Sequence, residues 1–204
     1  MQTMEQQATD QLVSVALQKA MTYETYRNFI DTHAGKESSS GPEQSEALSN
    51  YTMLNQRRMK RLDKTLKLSD TTTAAIQNFG GDVTWLVLTE TWCGDAAQSM
   101  PMMQKIAGLN EGISVKVILR DEHPEVMDQF LYNGSRSIPK LIAVDNKTQT
   151  VIGDWGPRPT KATQMVNNYK EKHGSLTPEF KQDLQLWYTK DKGQNTAEDL
   201  LKLL

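Results

Sequence analysis

Val83-Thr84-Trp85-Leu86-Val87-Leu88-Thr89-Glu90-Thr91-Trp92-Cys93-Gly94-Asp95-Ala96 decides the fold of this chain. Its first half is short, apolar and rich in branched and aromatic side chains, the composition of a buried strand. Its second half turns and enters a stretch of helical character. Cys93, at the junction, is the only cysteine among 204 residues. A helix starting at or just after it would set the sulfur on unpaired N–H groups at the positive end of the helix dipole, favouring thiolate over thiol. Asp95, in the same first turn, suits the helix but opposes a negative sulfur, so the sign of the net shift stays open. Trp92 offers a flat apolar shield beside the thiol and a surface for a partner peptide. A Cys-x-x-Cys pair would need its second member at position 96, which is Ala96, so no intramolecular disulfide can form.

Outward from this junction, strand and helix alternate. Further strands are expected at 113–119, 139–144 and 149–155, with helices from Cys93 to about Leu109 and over 125–132 behind the breaker Pro124. The sheet should be mixed, ordered by a crossover and then a hairpin through Asp145-Asn146-Lys147. Upstream, apolar residues from Thr9 to Ile30 recur at helical spacing and predict one long helix. Gly35 to Pro42 is Gly-, Ser- and Pro-rich and predicts a linker or exposed loop. A helix over 43–68 then carries Leu48, Tyr51, Leu54, Met59, Leu62 and Leu66 on one face. Its other face is basic, with Arg57, Arg58 and Arg61 among the cations, and reads as solvated, because no interleaved aromatic residues offer a stacking platform. A short helix is expected near 73–79. The chain reads helical again from Thr160, with Thr196 as N-cap of the last helix. The organisation expected is a helical extension at 1–69 packed on a main domain at 70–175, followed by C-terminal helices at 176–204.

With 23 basic and 25 acidic residues the net charge is −2, giving no general attraction to nucleic acid or an anionic membrane. No basic and apolar leader opens the sequence and no apolar run reaches membrane-spanning length, so a cytoplasmic location is expected. One cysteine fits a reducing compartment. Without a leader, the three Asn-x-Ser/Thr matches are read as chance. His33, His123 and His173 are scattered without ligand spacing, so no metal site is expected. Asp121, Glu122 and Glu125 read as a helix N-terminal signal rather than an acid–base pair. Met100, Met102 and Met103 follow the Cys93 turn, at least two of them as core residues.

A second element of the site opens a later strand: Arg136-Ser137-Ile138-Pro139-Lys140. Proline is tolerated at a strand's first residue, and an X-Pro bond there is a candidate for the cis form, although the general frequency is only about 5–6%. A cis bond would present the Ile138 backbone to an extended partner segment laid across Cys93.

The order of strand, Trp92-Cys93-Gly94 turn, helix, strand, helix, Ile138-Pro139 and hairpin resembles the thioredoxin superfamily over about residues 70–175. Pro101 matches the proline that interrupts the active-site helix of that superfamily, and Ile138-Pro139 matches its cis pair facing the thiol. More narrowly, the chain is similar to bacterial thioredoxin-like proteins bearing Tyr51-Thr52-x-Leu54-Asn55, Trp92-Cys93-Gly94-Asp95, Arg136-Ser137-Ile138-Pro139 and Trp155-Gly156-Pro157-Arg158-Pro159. The resemblance implies an α/β thioredoxin-like fold: a central mixed β-sheet flanked by helices, with a helical N-terminal extension and extra C-terminal helices. It also implies that Cys93 is the redox thiol and that Trp92, Ile138 and Pro139 dock a substrate, with Gly94, Asp95 and Arg158 in support. Two departures matter. Ala96 replaces the resolving cysteine, and Val87 stands where thioredoxins keep a buried aspartate that moves protons.

Two functions fit these residues. The first is a monothiol thiol–disulfide oxidoreductase acting on a protein disulfide or a glutathione mixed disulfide, resolved by an external thiol such as glutathione and needing no other cofactor. The second is a non-catalytic thioredoxin-fold interaction module. A peroxiredoxin-type peroxidase is disfavoured because Glu90 occupies the place of the threonine that chemistry needs.

Overall fold

The computed structural model describes residues 3–204. Three strands are buried along most of their length because both faces of the sheet carry helices. Val83–Thr89 (β2) is buried at every position and lies between Ile113–Leu119 (β3), parallel, and Lys140–Asp145 (β4), antiparallel. Thr150–Trp155 (β5) pairs antiparallel with β4, making the expected hairpin. Strand boundaries match the sequence reading within one residue, since short β-branched runs bounded by turns are strong local signals. The sheet is thus mixed, with five strands in the order β1 (Met21–Thr22), β3, β2, β4, β5.

The edge strand β1 was not foreseen. The single helix expected from Thr9 to Ile30 is two, Met4–Lys19 (α1) and Tyr23–Gly35 (α2), broken by Met21–Thr22 (β1), which pairs antiparallel with β3. Ala20 leaves the helical region, and Thr22 caps α2 by accepting the Thr25 N–H at 3.1 Å. The helical spacing of apolar residues survives across the break, so periodicity alone could not reveal it.

Glu46–Thr65 (α3), Asp70–Gln77 (α4) and Gly94–Ala107 (α5) follow, with α3 packed along α5. Pro101 sits inside α5, and Met100, Met102 and Met103 are all core. The helix expected over 125–132 is only Pro124–Met127 (α6). Thr160–His173 (α7), Pro178–Asp191 (α8) and Gln194–Leu200 (α9) complete the chain. Gly193, not Thr196, caps α9, with a left-handed φ of +78° that suits glycine, and Thr196 is buried. Val13, Ala16, Tyr26 and Ile30 share one continuous core with the sheet, so the N-terminal helices lie on the same apolar interior as β2. No helix among the described residues is long and apolar enough to cross a membrane.

Candidate functional site

Three parts of the chain converge at the carboxyl end of β2. Cys93 is the N-cap residue of α5, in extended conformation, and is 6% exposed. Its Sγ donates to the Ile138 carbonyl oxygen at 3.4 Å, and the Ile138–Pro139 bond is cis. Ile138 and Pro139 are themselves buried, while Trp92 is half-buried with the Arg120 guanidinium 5.0 Å from its ring centroid. The thiol, the tryptophan and the Ile-Pro pair expected to work together are therefore adjacent, and largely covered.

The charge around the sulfur answers the question left open by the sequence. The N–H groups of Asp95 and Ala96 point at the sulfur and favour thiolate, and so does Arg158. Burial and the Asp95 carboxylate outweigh them, and the Cys93 thiol is pushed up to about 12. Asp95 pairs with Arg158 Nη2 at 2.7 Å and accepts from the Tyr188 hydroxyl at 3.0 Å. Burial nevertheless raises its carboxyl above the usual range.

Arg158 reaches Asp95 from the loop after β5. Gly156 there has φ +126° and approaches Pro139 so closely that a Cβ would lie 2.1 Å from the Pro139 carbonyl oxygen. The Gly156–Pro157 bond is also cis. The loop thus braces Pro139 and delivers Arg158 to the first turn of α5, beside Gly94 and Asp95.

Several residues have a place at the site that the sequence reading did not give them. Ser39 and Ser40, expected in a linker or exposed loop, are buried. Ser40 Oγ accepts the Thr91 N–H at 2.8 Å, and the Ser40 N–H is donated to Thr91 Oγ1 at 2.9 Å. From α3, Thr52 meets Thr91 Oγ1 at 2.9 Å and Asn55 Nδ2 donates to the Thr91 carbonyl at 3.0 Å. Arg58, expected on the solvated face, turns inward, where Nη1 donates to Asn55 Oδ1 at 2.9 Å. A Cβ on Gly94 would lie 3.6 Å from the same Nη1. Tyr26 of α2 donates its hydroxyl to the Glu90 carbonyl at 3.3 Å. The segment before Cys93 is thereby tied by hydrogen bonds to residues 26–55. A buried Ser-Thr-Asn set at irregular spacing gives no periodic signal, so only the partner across the fold reveals it.

Glu90 is fully buried behind this turn, bonded to the Ser40 hydroxyl and to the Asp121 N–H at 2.9 Å. Burial raises its carboxyl above the usual range, with Asp121 adding to the rise. A carboxyl raised on folding contributes stability that is complete below its unfolded value and lost as pH rises through the folded one. Chemical denaturation of the wild type and Glu90→Gln should therefore show the balance moving toward the wild type as pH falls from 7 to about 4.3, the ordinary glutamate value. A pH-independent difference would mean that folding leaves the Glu90 carboxyl unshifted.

His123 lies 3.5 Å from Glu125, His33 meets Ser38 at 2.8 Å, and His173 stacks on Tyr169. Among the described residues no group of three or more His, Cys, Asp or Glu side chains is placed to hold a metal ion.

A sulfur at a helix N-terminus thus lies beside a cis-proline at the carboxyl end of the central strand of a mixed sheet. The family model described as Thioredoxin matches residues 41–171, more than half of the chain. The chain belongs to the thioredoxin family. The match begins ahead of α3, so it takes in the helix that carries Thr52, Asn55 and Arg58. Among solved structures, a protein of unknown function from Pseudomonas aeruginosa is similar at 19% identity with TM-score 0.58, covering 74% of this chain and 83% of that one. An HIV epitope-scaffold is similar at 16% identity with TM-score 0.57, covering 90% of this chain and 97% of the scaffold. Both likenesses speak to the fold. No curated protein matches this thioredoxin-family chain.

Proposed function

We propose that this thioredoxin-family protein is a monothiol thiol–disulfide oxidoreductase whose thiol is latent until a partner docks. The Cys93 thiolate would attack one sulfur of a protein disulfide or of a glutathione mixed disulfide, forming a Cys93–S–S bond and expelling the other sulfur as a thiolate. With Ala96 at the resolving position, an external thiol such as glutathione would then attack the captured group's sulfur, releasing Cys93 as thiolate.

The observation that carries this reading is the contact of Sγ with the Ile138 carbonyl at 3.4 Å, at the N-terminus of α5. A partner backbone laid along Ile138, with Trp92 as its apolar wall, would offer its own N–H to that carbonyl. The thiol would then lose its acceptor, with the Asp95 and Ala96 N–H groups and Arg158 favouring thiolate against burial and the Asp95 carboxylate. A reducing bacterial cytoplasm suits such a cycle, as does membership of the narrower group with the Trp92-Cys93-Gly94-Asp95 turn.

One observation favours a non-catalytic interaction module instead: the resting thiol is buried and pushed up to about 12. The rate of Cys93 alkylation against pH, with turnover of a glutathione mixed disulfide and a Cys93→Ser control, separates the two. The oxidoreductase reading expects turnover that vanishes in Cys93→Ser and alkylation that accelerates in the presence of a disulfide peptide. Turnover equal to the control, with alkylation unmoved by the peptide, would overturn it in favour of the interaction module.

A further inference from the structure

The chain holds seven arginines. Arg27, Arg120, Arg136 and Arg158 each pair with a carboxylate. Arg57, Arg58 and Arg61 pair with none among the described residues, and all three line one cleft of about 380 Å³ between α3 and α8. The rest of its lining is neutral, Leu54, Gln98, Gln185 and Thr189, with the Gln98 amide donating to Gln185 at 2.8 Å across the cleft. Arg61 lies four residues from Arg57 and three from Arg58, spacings at which like charges on a helix repel and weaken it. Here no carboxylate offsets the repulsion, although the same chain supplies one to every arginine elsewhere. Asp95, the nearby carboxylate that Arg58 senses, is already bound by Arg158 and Tyr188.

The three guanidiniums are not equivalent. Arg58 is largely withdrawn from solvent and oriented by Asn55, whereas Arg57 and Arg61 are exposed and free to close on a ligand. A preoriented guanidinium with two mobile ones beside it suits an oxyanion with more than one charge, bound through charge-assisted and bidentate hydrogen bonds. We propose that this cleft binds a small multivalent oxyanion, a compound carrying two or three adjacent phosphate or carboxylate groups. The cleft's volume fits a small molecule, and its lining has no aromatic platform for stacked bases. Because Arg58 lies beside Gly94, the bound anion would sit next to the Cys93 turn, but its binding does not depend on the chemistry proposed for that thiol.

Isothermal titration of the full chain at low salt, with pyrophosphate and citrate as probes, tests the assignment. Saturable binding of at least one probe is expected, weakened about tenfold by Arg57→Gln and again by Arg61→Gln. Both side chains are exposed, so the substitutions spare the core. Tighter pyrophosphate binding would assign the phosphate class, and tighter citrate binding the carboxylate class. Three results would each overturn the proposal: no saturable binding of either probe, affinity unchanged in the double variant, or a single-stranded oligonucleotide displacing pyrophosphate at lower concentration than pyrophosphate binds.

Discussion

Asp95→Asn should lower the pH at which Cys93 is alkylated by about one to three units, the size of shift that one close charge exerts on an ionising group. The neighbouring carboxylate is the largest contribution to the high resting thiol after burial itself. Asparagine keeps an oxygen for the Tyr188 hydroxyl, which donates to Asp95 at 3.0 Å in the wild type. It also frees the positive charge of Arg158, which favours thiolate. At fixed neutral pH the gain in thiolate corresponds to about 10- to 1000-fold faster alkylation, since each unit of pKa is tenfold in population while the thiol remains mostly protonated. Iodoacetamide kinetics from pH 6 to 10 read this directly. An unshifted profile would mean that burial alone holds the thiol protonated and that Asp95 has no hold on it.

The converse substitution, Arg158→Gln, should cost about 3 kcal/mol of stability, because removing one partner of a buried pair strands the other. The ion pair at 2.7 Å leaves Asp95 12% and Arg158 23% exposed, so water replaces little of what is lost. The sign of the pH dependence follows from Asp95, whose carboxyl is already raised by burial and is held down by Arg158. Without the guanidinium it rises further. The folded variant then retains a proton that the unfolded chain releases, so its contribution is present below the unfolded value and lost as pH climbs through the folded one. Urea denaturation should accordingly show the deficit shrinking from pH 7 toward about 4, the ordinary aspartate range. Adding Asp95→Asn should restore part of the stability, since no buried charge remains unpaired. An equal deficit at both pH values would assign the loss to the loop that Gly156 braces.

The two halves of the site differ in how far sequence could carry them. Cys93 at a strand–helix junction, Pro101 within the helix and Ile138-Pro139 at a strand start are short local signals, each with its own turn or φ restriction, and their places were legible residue by residue. Arg158 was legible only as a candidate, because a proline-bounded loop indicates stiffness and not direction. The burial and bonding of Ser40, Thr52, Asn55 and Glu90 were not legible at all. Ser40, Thr52 and Asn55 meet Thr91 across 36 to 51 residues of chain, and Glu90 meets the Asp121 N–H 31 residues on. Polar residues in a linker and on a helix look solvated until the surface that buries them is known. Arg58 is the sharpest case: one of three arginines in a basic stretch, distinguished from Arg57 and Arg61 only by the direction its face takes against α5.

The sequence by itself determined that the chain alternates strand and helix around a single thiol, that this thiol has no internal cysteine to resolve it, and where the proline facing it lies. Those properties reside in composition, spacing and the restricted φ of proline, all of which act over a few residues. Only the tertiary structure decided whether that thiol is poised or silent. Its ionisation depends on burial and on charges brought from positions 95 and 158, with Tyr26 and Tyr188 close by, and such terms follow distance in space rather than distance along the chain.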